Sequence, residues 1–147
     1  MKKVLINIIT ICLSLGILVG CSSSEAEPLS LAGNWQGENE DGAYMAAYIV
    51  DDVIEVYWIS EDDDSSFSNA LYWSGSYDAP EEDVDTYEWD SINNTDKTST
   101  ALLASDAETK TFTYEDGTIS FEVTAIGVTQ TYEMTESDQD FSDLYSE

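Results

Sequence analysis

The chain contains no histidine, which removes most of the ways a protein activates a nucleophile. Ser-His-Asp and Cys-His arrangements need an imidazole to accept the proton. The usual zinc sites draw on histidine or on several cysteines, and this chain has only Cys12 and Cys21. Its basic residues are four lysines, Lys2, Lys3, Lys97 and Lys110, with no arginine. Neither later lysine stands in a Ser-x-x-Lys setting, so the many serines and threonines lack a recognisable base. Two carboxylates at a suitable separation can hydrolyse a glycosidic bond. Among 31 acidic residues, however, such a pair is inevitable and carries no information. The expectation is a protein that binds rather than catalyses, with no cofactor.

Three constellations remain as candidate binding sites. Two acidic clusters, Glu61-Asp62-Asp63-Asp64-Ser65 and Glu81-Glu82-Asp83-Val84-Asp85, offer the oxygen ligands that Ca²⁺ takes. Asp62, Asp63 and Asp64 are the weak metal candidates, because neither cluster has the spacing or the glycine of a calcium loop and a solvated turn has the same composition. The second constellation is aromatic. Trp58, Trp73, Trp89, Tyr77 and Tyr87 fall on expected inward faces together with Gln130, as the walls and polar group of a ligand pocket would. Rings also dominate ordinary cores, so a filled interior is the competing expectation. The third is a stripe of Tyr44, Tyr48 and Tyr57 on the opposite face. Tyrosine is enriched at interfaces, but the chain's own loops could cover the stripe instead.

These side chains must be carried by strands. From Trp35 onward, short alternating segments rich in Val, Ile, Thr, Tyr, Phe and Trp are broken by turn signals about every ten residues, the rhythm of an all-β sandwich or barrel. Asp116-Gly117 is a two-residue hairpin turn needing positive φ at both positions. It pairs Phe112 with Phe121 and Tyr114 with Ile119 on one face, and Thr113 with Ser120 and Thr111 with Glu122 on the other. A turn at Ile126-Gly127 carries the same apolar face onward, Phe121 to Tyr132 and Ile119 to Met134. Upstream, a hairpin about Asp51-Asp52 pairs Ile49 with Ile54, Ala47 with Val56 and Met45 with Trp58. Further strands are expected at Asn69–Tyr77, with Leu71, Trp73 and Tyr77 on one side, and at Thr86–Ile92. Thr98–Ala104 fits a strand or a short helical turn. The predicted architecture is an antiparallel up-and-down barrel of about eight strands, which leaves no exposed edges. A two-sheet sandwich is the alternative. Gly33-Asn34-Trp35 resembles the Gly-x-Trp opening of lipocalin-like domains, and that resemblance implies a small-ligand barrel.

The N-terminus is organised differently. Lys2 and Lys3 precede an apolar run from Val4 to Val19, interrupted by Asn7, Thr10, Ser14 and Gly16. It is shorter and more polar than the approximately 20 apolar residues of a membrane span, and it has the build of a secretory signal. Leu18-Val19-Gly20-Cys21 resembles the lipobox of bacterial lipoproteins. The resemblance implies cleavage before Cys21 and attachment of diacylglycerol to its thiol, which leaves no cysteine for a disulfide. Two acyl chains hold stably where one holds marginally, so the expected product is anchored at the bacterial cell surface. The expected divisions are a signal at 1–20, a lipidated tether at 21–32, one barrel domain at 33–135 and a loosely held acidic tail at 136–147.

Charge limits the partners. Beyond Lys3 only Lys97 and Lys110 stand against all 31 acids. Such a field repels nucleic acid and anionic lipid headgroups and attracts basic proteins or peptides. It would equally follow from adaptation to high salt. The functional expectation is a monomeric, non-enzymatic module for a cationic or amphipathic partner. The alternatives are a lipocalin-like carrier of a small apolar ligand and an exclusion or immunity lipoprotein against phage or toxin.

Overall fold

Alternation of apolar and polar residues produces eight strands, and two-residue turns make three of the seven connections between them. The computed structural model describes residues 26–61, 67–125 and 127–145; the signal segment, Cys21 and the candidates Asp62, Asp63 and Asp64 lie outside them. The strands are β1 (Gly33–Gly37), β2 (Ala43–Val50), β3 (Val53–Glu61), β4 (Phe67–Ser76), β5 (Thr86–Ile92), β6 (Thr109–Glu115), β7 (Thr118–Ala125) and β8 (Val128–Glu136). One helical turn, α1 (Thr95–Thr98), precedes β6.

All eight belong to one antiparallel sheet in the order β4-β3-β2-β1-β8-β7-β6-β5. Pairing of β1 with β8 joins the first strand to the last and leaves β4 and β5 as edges. The sheet curls until those edges meet at one end. There Gly75 bridges Asn93, the Asn94 N–H donates to the Ser74 carbonyl at 2.8 Å, and the Ile92 N–H donates to Ser76 Oγ at 2.9 Å. Gly75 permits the approach, since a Cβ there would lie 2.6 Å from the Ile92 carbonyl oxygen. The fold is an all-β, up-and-down, barrel-like sheet, and the two-sheet sandwich does not form.

The hairpin registers follow the alternation. Asp116 and Gly117 take φ of 50° and 82°, and Phe112 pairs with Phe121 and Tyr114 with Ile119. β7 and β8 pair Phe121 with Tyr132 and Ile119 with Met134. β2 and β3 pair Met45 with Trp58, Ala47 with Val56 and Ile49 with Ile54. The inward set of these strands, with Leu31, Trp35, Trp73, Tyr77 and Trp89, forms the main core.

Four expectations need correction. A register shift at Val56/Tyr57 places Trp73 opposite Val56 but Leu71 opposite Tyr57. Tyr72 is therefore an extra residue, and such a bulge breaks the period of two. Tyr72 and Trp73 both enter the main core while Leu71 packs on the other face. Thr111 does not pair with Glu122, because the β6–β7 ladder ends at Phe112 and Phe121. The helical turn lies ahead of Ala101-Leu102-Leu103-Ala104, which forms a loop with Leu102 almost wholly exposed. The tail is held: residues 137–145 cross the outer face of β2 and β3 and bury Phe141.

Candidate functional site

The tyrosine stripe is covered. Tyr44 and Tyr57 form a second buried cluster with Ala46, Ile59 and Phe141, flanked by Tyr48, Leu71 and Leu144. Two hydrogen bonds tie the tail to Asn34, from the Ser137 N–H to its carbonyl and from the Phe141 N–H to its Oδ1, both at 2.8 Å. The ring of Tyr145 lies 6.0 Å from that of Tyr48. Once apolar surface is sequestered in this way it is no longer free to meet a partner, so the contact-surface reading of Tyr44, Tyr48 and Tyr57 is replaced by cover from the chain itself.

Beneath the tail lies a buried charge. Glu55 has no exposed surface and receives hydrogen bonds from Ser74 Oγ at 2.9 Å and Lys97 Nζ at 3.0 Å. The Tyr57 hydroxyl lies against both the Glu55 carboxylate and the Leu144 carbonyl. Burial, and then the hydrogen bond and charge of Glu55, push that phenol well above the ordinary tyrosine range. Lys97 also lies 4.9 Å from the centre of the Tyr145 ring. An unpaired buried carboxylate is costly, and paired and hydrogen-bonded it is tolerated. The signal for this cluster was present, because Glu55 shares its face with Tyr44, Tyr48 and Tyr57, a face too apolar for a solvated acid.

The inward aromatics make one rank across the sheet. Trp89 stacks on Phe112 at 5.2 Å, Phe112 meets Phe121 at 5.0 Å, and Phe121 meets Tyr132 at 5.9 Å. Each such pair contributes about 0.5–1.5 kcal/mol beyond area burial. Trp73, Trp89 and Tyr77 are buried within this core, whereas Trp58 and Tyr87 are only partly buried against it. Gln130 is exposed, contrary to the expectation that it faces a closed interior. It stands opposite Val123, three pairs from the β7–β8 turn, beyond the rank of rings that fills the middle.

The sheet parts in two places, and an interior side chain bridges each. β1 ends at Gly37, so past it the longer β2 and β8 face each other across a gap. The Met45 N–H of β2 donates to the Tyr132 hydroxyl of β8 at 2.8 Å. Gly37 has no side chain because the Tyr132 ring lies over it; a Cβ would stand 2.4 Å from the ring. A cleft of about 650 Å³ opens here, lined by Glu38, Glu40, Tyr44, Trp58, Gln130, Tyr132 and Glu133, among others. Burial raises the Tyr132 phenol, the Met45 N–H opposes this, and the charges of Glu40 and Glu38 add to the rise. Carboxylates beside aromatic faces suit an ammonium or guanidinium group.

The second parting lies between β6 and β7, where the ladder stops short. Lys110 Nζ donates to the Glu122 carbonyl at 2.8 Å, so a side chain serves that acceptor where no strand pairing does. Lys110, like Phe112 two residues on, points inward, a signal the alternation already carried. Both lysines of the described residues are thus drawn into the body of the protein. No family model, curated protein or solved structure matches this chain.

Among the described residues no group of three or more acids or cysteines comes together as a metal site. Glu81, Glu82, Asp83 and Asp85 are all exposed, and the Glu82 carbonyl instead accepts from the Leu29 N–H at 3.1 Å. No helix among the described residues is long and apolar enough to cross a membrane.

Proposed function

We propose that the chain is an exported, lipid-anchored, non-enzymatic module that holds a basic protein or peptide at the bacterial cell surface. The lipobox-like Leu18-Val19-Gly20-Cys21 supports the anchor through diacylglycerol on Cys21. The cleft between β2 and β8 carries the binding part of this reading. Glu38, Glu40 and Glu133 line it together with Trp58 and Tyr132, so a basic side chain would find carboxylates for its charge and ring faces for its desolvated surface. Lys97 is paired with Glu55 and Lys110 lies against the inner rings, so the acids around the cleft keep a nearly unopposed field that steers cations toward it.

A titration with an oligolysine peptide at low and at high salt tests the reading. The expected result is binding that weakens steeply with salt, because exposed charges are screened beyond about 10 Å at 0.1 M. Replacing Glu38, Glu40 and Glu133 together by Gln should weaken it by tenfold or more. Salt-insensitive binding, or a triple variant that binds as well as the parent, would overturn it.

A further inference from the structure

We infer that Lys110 heads a second binding site, for a small apolar molecule bearing one carboxylate, in the cleft between Trp58, Tyr72, Leu103, Ala107 and Val123. This goes beyond the basic-partner reading and uses different charged residues. The cleft measures about 480 Å³, within the range of small-molecule sites. Lys110 is one of its lining residues. Its ammonium lies 5.2 Å from the ring centre of Tyr72, 5.5 Å from that of Trp73 and 6.0 Å from that of Phe121.

An ammonium has three N–H donors and no acceptor. Among the described residues the Lys110 ammonium donates one hydrogen bond, to the Glu122 carbonyl. Ring faces offset part of the cost of holding a cation in a partly buried recess. Burial accordingly holds the Lys110 ammonium below the ordinary lysine value, and the charge of Glu122 opposes this. A carboxylate is the group that matches such a cation, through short charge-assisted bonds.

The walls set the rest of the molecule. Trp58, Tyr72, Ala107 and Val123 are apolar, and Leu103 at the rim is half exposed, so an apolar body would cover it. Asp106 also lines the cleft, and the surface around it is acidic, so a second negative charge on the ligand would be repelled. Salt should therefore act in opposite senses at the two sites. Screening weakens the attraction of a basic peptide, whereas it relieves the repulsion that a monocarboxylate meets on approach, and the recessed contact with Lys110 is screened much less.

The test uses the full-length protein in phosphatidylcholine vesicles, with protein-free vesicles as blank and calorimetry as readout. The probes are 2-naphthoate and its neutral amide, 2-naphthamide. The unaltered protein should bind the naphthoate at least tenfold more tightly than the amide, and more tightly as salt is raised. Lys110→Met should abolish the preference, and Leu103→Ser should weaken both probes alike. Equal binding of the two probes by the unaltered protein, or naphthoate affinity that falls with salt, would overturn the site whether or not any variant folds. A preference retained in Lys110→Met overturns the role of that residue, and a Leu103→Ser variant that binds as before overturns this cleft. Loss of oligolysine binding in the Glu38, Glu40 and Glu133 variant with naphthoate binding intact would separate the two sites.

Discussion

Lys97→Met should be among the more damaging single substitutions outside the main core. It removes the cation that meets Glu55 at 3.0 Å while the carboxylate stays fully buried and the lysine side chain is 25% exposed. Breaking a fully buried ion pair from one side costs about 3–5 kcal/mol. Here Glu55 keeps the Tyr57 and Ser74 hydroxyls as donors, and the partly exposed lysine was already screened by solvent. The expected cost is therefore about 2–3 kcal/mol, a fall in Tm of roughly 10 °C for a domain of this size. Glu55→Gln should cost less, about 1 kcal/mol, because the amide oxygen still accepts hydrogen bonds and the lysine side chain already reaches water. The double variant should be more stable than Lys97→Met alone, since no buried charge is then left without a cation. Urea and thermal melts of the three variants and the parent decide it. If Glu55→Gln proves the more damaging, or if the two costs simply add in the double variant, Lys97 is not what compensates Glu55.

Gly75→Ala should destabilise by about 1–3 kcal/mol, the cost of forcing atoms into a packed site, because the new Cβ would press on the Ser91 hydroxyl and the Ile92 carbonyl. Amide exchange should then quicken first in β4 and β5, and uniform exchange would refute the account of the seam. Alkaline pH should unfold the protein from about pH 10 upward. Tyr44, Tyr57, Tyr72, Tyr77, Tyr87 and Tyr132 all have values raised by burial. The unfolded chain therefore loses those protons first, and their stability contribution is complete below pH 10 and lost above it. Lys110, whose value is lowered, works in the opposite sense just below its ordinary value of 10.5. Urea melts followed alongside tyrosinate absorbance check this, and the full tyrosinate absorbance of all nine tyrosines appearing near pH 10 in a protein that stays folded would contradict it. Cys21→Ser should abolish labelling by a fatty-acid analogue and leave the precursor uncut; label retained on the variant would exclude Cys21 as the attachment site.

The hairpins were legible because their information is local. Asp116-Gly117 sets a turn, and once the turn is set the period of two assigns every side chain from Phe112 to Phe121 to a face. The same reasoning recovered β2 with β3 and β7 with β8, and so the inward rank of rings. The candidate site was less legible. Trp58 and Tyr132 could be placed on an inward face, but nothing in the order of residues says that β1 stops at Gly37 and leaves them beside an opening lined by Glu38, Glu40 and Glu133.

What the amino-acid sequence determined by itself is the set of strands, their turns, the apolar face of each, the excess of acid and the lipobox-like start. These depend on neighbours a few residues apart, where backbone preference and alternation act directly. Tertiary structure alone decided the bulge that turns both Tyr72 and Trp73 inward, the closure of β4 on β5 at Gly75 and the docking of Phe141 over the tyrosines. It also decided the pairing of Glu55 with Lys97 and the parting of β6 from β7 around Lys110. Each joins segments distant in the chain, or depends on how the curled sheet fills its interior. Burial then selects among contacts that local alternation leaves equally open, as it does when the tail takes the outer tyrosines that a partner protein could otherwise have met.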